Sequence, residues 1–131
     1  MTSQDRDWIV DGDGHVMEDF AAIVRHMPEA YWGGFHQGIK NPFPPLDHLH
    51  SANQLGLPTG AFAPVGMGGW LDFMNDVGIG RTVLYTTMGL SFGKIVSRDW
   101  AIELAHAYND WIAENYVHAN PRFQAMALIP L

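Results

Sequence analysis

Trp8-Ile9-Val10-Asp11-Gly12-Asp13-Gly14-His15-Val16-Met17-Glu18 is a short apolar run that stops at a cluster of carboxylates and one histidine, with glycines between the charges. A run of this kind suits a buried strand, Trp8 to Asp11, ending in a loop whose side chains turn together into the crevice at the strand's C-terminal end. Asp13 and His15 are two residues apart, so extended backbone points both to the same side. One hard oxygen donor and one imidazole on a common face suit a divalent cation, zinc first and manganese second.

Beyond that loop, Phe20, Ile23, Val24 and Met27 share a helical face, which predicts a short helix from Asp19 to Met27 that Pro28 ends. Residues 33 to 69 carry Pro42, Pro44, Pro45, Pro58 and Pro64 among aperiodic glycines, which predicts a long irregular insertion near the site. Order returns with the stripe Trp70, Phe73, Met74 and Val77, closed by Gly78, and then with the apolar strand Thr82 to Thr86. A helix from Arg98 to Val117 follows, capped by Ser97, with Asp99 in its first turn and Trp100, Leu104, Ala107, Trp111 and Ile112 as its buried stripe. Asn120-Pro121 stops that helix, and Phe123 to Leu131 reads as a final strand.

The order β-α-insert-α-β-α-β predicts an α/β fold with a parallel sheet and right-handed crossovers. Three parallel strands with both edges open are poorly covered, and 131 residues is about half of the roughly 250 usual for an eight-stranded β/α barrel. The expectation is therefore one incomplete domain, residues 1–131, forming the N-terminal part of a (β/α)8 TIM barrel.

Composition limits the function. A formal charge of -7, with only 7 Lys and Arg, argues against nucleic acid and anionic membranes, both of which are bound through basic residues. The absence of cysteine rules out a disulfide framework and a thiolate metal site. No apolar run approaches the roughly 18 residues of a membrane span, and Asp5, Arg6 and Asp7 interrupt any signal-peptide pattern, so the expected location is cytoplasmic.

Several segments together resemble the amidohydrolase-related family, the metal-dependent barrel group that includes aminocarboxymuconate semialdehyde decarboxylase and aromatic acid decarboxylases. Val10 to Glu18 is similar to the family's first-strand motif, in which an acidic residue or His, a spacer and a His supply two metal ligands. Trp70 to Tyr85 is similar to its helix and second strand, and Ala107 to Glu114, Asn120 to Phe123 and Ala127 to Leu131 to its next helix, turn and third strand. The resemblance implies a barrel enzyme holding one divalent metal, with Asp13 and His15 as first-strand ligands, and with the remaining ligands and the catalytic groups beyond Leu131. It implies a small carboxylated or carbonyl substrate, processed by hydrolysis or decarboxylation, and a 131-residue chain that is inactive by itself.

Other residues have structural readings beside functional ones. Asp11 either supports a ligand from behind or caps a backbone N–H, and Glu18 either faces the pocket or stabilises the start of the following helix. His48 and His50 repeat the two-residue spacing but sit in the insertion, and His26, His36, His106 and His118 have no partner at ligand spacing. Trp100, Tyr108 and Trp111 read as packing rather than as a substrate cage. One alternative is a non-catalytic fragment that self-associates through open strand edges, forming a homo-oligomer. Another is a haloacid dehalogenase-type phosphatase, whose D-x-D motif Asp11-Gly12-Asp13 imitates, although His15 departs from that pattern. A calcium loop fails because Val16 and Ala22 stand where Gly and Glu are required.

Overall fold

The computed structural model describes residues 9–33, 41–45 and 63–131. Trp8, His36, His48 and His50 lie outside the described residues, as do positions 34–40 and 46–62 of the expected insertion. The described elements are β1 (Val10–Val16), α1 (Phe20–Arg25), α2 (Gly66–Val77), β2 (Arg81–Thr86), α3 (Arg98–Ile112) and β3 (Phe123–Ala125), with 3-10 turns at Glu29–Tyr31 and Met88–Lys94. The three strands form one parallel sheet in the order β1-β2-β3, giving an α/β arrangement. Among the described residues no helix is long and apolar enough to cross a membrane.

β1 differs from expectation, because it runs through Val16 and so carries Asp13 and His15 inside the strand rather than in a loop after it. The cause is a bulge. Asp11 pairs with Thr82 and Gly14 with Leu84, so β1 spends one more residue than β2 between those pairs, and the ladder then resumes with His15 opposite Tyr85. Gly14 permits that close approach, since a Cβ there would stand 2.4 Å from Thr82 Oγ1.

The helices begin and end for local reasons. Asp19 caps α1 through the Ala22 amide, and Ser97 caps α3 through the Trp100 amide. Gly78, at a φ of 82°, closes α2 in the left-handed conformation that glycine adopts without strain. α2 starts at Gly66, inside the stretch expected to be irregular, and of its predicted stripe only Met74 is fully buried, while Phe73 and Val77 are exposed. The predicted helix 98–117 divides at Ile112, where a π turn (Ala113–Val117) takes over and the His118 amide donates to Ala113 O.

Alternation along β2 buries Thr82, Leu84 and Thr86 and leaves Val83 and Tyr85 partly exposed. Leu84, Val16 and Phe123 meet Ile23, Met74, Leu104 and Tyr108 in the core, where each large apolar side chain contributes about 1.5–3 kcal/mol. An aromatic row of Phe43, Tyr108, Trp111, Tyr116 and Phe123 runs through it, with successive ring centroids 5.6–6.5 Å apart. Trp100 is only half-buried, its Nε1 donating to Pro42 O.

The final strand stops at Ala125 rather than reaching Leu131. From there Asn109 of α3 replaces a strand neighbour, its side-chain N–H donating to Leu128 O and its carbonyl accepting from the Leu128 amide. At the N-terminal end of the sheet, Arg122 donates to Gly80 O, Ile79 O and Asn75 Oδ1, tying the end of α2 to the approach to β3.

Candidate functional site

The period-two alternation of β1 sorts its polar residues after the bulge. Gly14, Val16 and Glu18 are buried, whereas Asp13 and His15 are exposed and Met17 is partly so. Asp13 Oδ1 and His15 Nε2 come within 3.5 Å on the exposed side. The second imidazole nitrogen, Nδ1, lies 2.9 Å from Thr86 O. A carbonyl can only accept, so Nδ1 carries a proton, and Nε2 is the nitrogen that faces Asp13.

This arrangement fits a divalent metal as far as two ligands go. Oxygen and imidazole donors about 2.0–2.2 Å from a tetrahedral zinc stand roughly 3.4 Å from one another. An imidazole whose other nitrogen donates to a carbonyl is the usual form of a metal-bound histidine. Among the described residues no group of three or more His, Asp or Glu side chains is gathered to complete such a site.

Beside His15 lies a cavity of about 340 Å³ whose walls include Met17, Val65, Trp70 and Phe73. It has apolar sides and one imidazole at its edge, which suits the hydrocarbon part of a small molecule. A second cavity, of about 530 Å³, opens between α1, the start of α2 and the π turn, next to Asp19, Arg25 and Asn115.

The two supporting candidates part company with Asp13 and His15. Asp11, which precedes the bulge, accepts from the Asp13 amide and from the Thr82 hydroxyl, so it caps a backbone N–H, one of the two readings of this residue. Glu18 does not stabilise the start of α1, which Asp19 caps. It turns into the core and accepts from the Thr86 hydroxyl and from the amides of Thr87, Met88 and Gly89. Its partners are 68 to 71 residues away in sequence, so no local pattern could have shown them. The 3-10 turn after β2 was likewise not foreseen.

Of the remaining histidines, His26 lies 3.8 Å from Glu114, and no metal cluster among the described residues includes His106 or His118. Trp111 and Tyr108 are buried in the core, as packing requires. Burial pushes the Tyr108 hydroxyl well above its ordinary value of 10, with the charge of Glu18 adding to the effect and the neighbouring Thr86 hydroxyl opposing it. Thr86 nevertheless gives its proton to Glu18, and among the described residues Tyr108 Oη has no hydrogen-bond partner. Tyr116 is raised by burial and, secondarily, by the charge of Asp19.

No protein-family model matches the chain, and no curated protein matches it.

Proposed function

We propose that the chain belongs to a cytoplasmic, metal-dependent barrel enzyme of the amidohydrolase-related kind. It would contribute the opening strands of a (β/α)8 barrel and two of the metal's ligands. The observation that carries this reading is the Asp13–His15 pair, 3.5 Å apart, with the His15 proton held at Nδ1 by Thr86 O. The parallel order β1-β2-β3 supports it, as does the place of His15 near the C-terminal end of its strand, where such barrels keep their chemistry.

In this reading Asp13 supplies an anionic oxygen, His15 supplies the Nε2 lone pair, and zinc is the first choice over manganese. When bound, the metal would acidify a water or polarise a carbonyl or carboxylate of the substrate. The apolar walls formed by Met17, Val65, Trp70 and Phe73 suit the hydrocarbon part of a small carboxylated or carbonyl substrate. Hydrolysis and decarboxylation share these needs, and the groups that separate them belong to other strands of the barrel. The phosphatase alternative gains nothing from Asp11, whose two oxygens are taken by Thr82 and the Asp13 amide.

Calorimetric titration of the chain with zinc chloride tests the proposal. A single site lost in both His15→Ala and Asp13→Ala is expected, without turnover, since catalytic zinc sites use at least three protein ligands. Zinc binding that is unchanged in both variants would remove the metal reading.

A further inference from the structure

Glu18 carries a negative charge into the core with no cation beside it among the described residues, and spends it on the turn that follows β2. Its carboxylate accepts from the Thr86 hydroxyl and from three successive amides, Thr87, Met88 and Gly89, a backbone nest of the kind that holds anions. Gly89 also donates to Thr86 Oγ1, and the Thr87 hydroxyl donates to Val16 O, so the ends of β1 and β2 are fastened at several points. Thr86 belongs to both sides of this arrangement. Its hydroxyl is held by Glu18 in the core, while its carbonyl receives the Nδ1 proton of His15.

We propose that Glu18 is a positioning residue for His15: by fixing Thr86, it holds the imidazole in the Nδ1-protonated tautomer and so presents Nε2 to a metal. The inference rests on Asp13 and His15 being the ligand pair, but its first readout does not need a metal. Glu18 cannot be a ligand itself, since past the end of β1 it is buried at 4% exposure and its oxygens are already engaged. Glu18→Gln weakens the acceptor and turns an NH2 group toward one of the amides that the carboxylate serves, which frees the Thr86 carbonyl to move. Loss of such an outer partner costs metal affinity about 10–100-fold.

The experiment is a long-range proton–nitrogen correlation spectrum of the full chain with 15N-labelled histidine, at about pH 8 and so above the ordinary imidazole range, paired with zinc titration. Wild type is expected to show His15 protonated at Nδ1. Glu18→Gln and Thr86→Val are expected to show mixed tautomers and at least tenfold weaker zinc binding, and Thr86→Ser is expected to restore the wild-type spectrum. Arg122→Ala, which loosens the far end of the sheet, is expected to leave the His15 tautomer unchanged. If Glu18→Gln does not fold, Thr86→Val decides, since it keeps the shape and the carbonyl and removes only the hydroxyl. A folded Glu18→Gln or Thr86→Val with the wild-type tautomer overturns the proposal, as does Nε2 protonation in wild type or a tautomer change in Arg122→Ala. If the tautomers respond as expected but wild type binds no zinc, the positioning role stands and the metal reading falls.

Discussion

Replacing Tyr108 by phenylalanine is expected to stabilise the chain. The ring is fully buried between Phe43 and Trp111, with centroid separations of 6.5 and 5.9 Å, and phenylalanine keeps both contacts. The hydroxyl, by contrast, has no hydrogen-bond partner among the described residues, and an unsatisfied buried polar group costs about 1–3 kcal/mol. Allowing for the small void left behind, a gain of about 1 kcal/mol at neutral pH follows. Urea unfolding should show it as a midpoint shift of about 0.3–1 M. The same substitution changes the response to alkali. Burial raises the folded-state pKa of this phenol above 10, so the native chain keeps a proton that the unfolded chain loses. Stability linked to Tyr108 is therefore complete below pH 10 and is lost as pH rises above it, with a limiting slope of about 1.4 kcal/mol per pH unit. Tyr108→Phe should lose that part of the slope and leave the part due to Tyr116. A variant less stable than wild type by 1 kcal/mol or more at neutral pH, or one with an unchanged alkaline slope, would refute the orphaned hydroxyl.

Arg122→Ala deletes three hydrogen bonds, to Gly80 O, Ile79 O and Asn75 Oδ1, and should cost about 2–3 kcal/mol in urea unfolding, while Arg122→Lys, lacking the planar fork, recovers less than half. Gly89→Ala places a Cβ 2.1 Å from Thr86 Oγ1, so it should destabilise by about 1–3 kcal/mol and shift the backbone amide resonances of Thr86 to Gly89, whereas Gly93→Ala, where none of the described residues lies within 4 Å, should leave both unchanged.

The elements that the sequence announced most plainly are those with both a boundary residue and a period. α3 starts where Ser97 and Asp99 place it, and β2 lies where its apolar run falls. β1 is longer than its sequence suggests because Gly12 and Gly14 look like loop residues. In the ladder one is absorbed by a bulge and the other makes room for Thr82. The last strand was overextended because Ala127-Leu128-Ile129 is apolar enough for a strand, yet its backbone is held by a side chain of α3. The proximity of Asp13 and His15 followed from their two-residue spacing. The core role of Glu18 did not, since a carboxylate three residues past a histidine gives no hint that its donors come from the turn after another strand.

Asn109 gives the segment after β3 a ruler. A carboxamide has the donor and acceptor of a peptide group, so this one side chain reads a single residue of the passing chain, Leu128, through both its N–H and its C=O. A slip of one position would offer it Ala127 or Ile129 instead. The ladder to β2 ends with the Met126 amide on Leu84 O, and beyond it the helix keeps the phase. Asn109→Asp keeps the size of the ruler and erases its mark, because a carboxylate oxygen then faces the Leu128 carbonyl, acceptor against acceptor, while the other oxygen still accepts from the Leu128 amide.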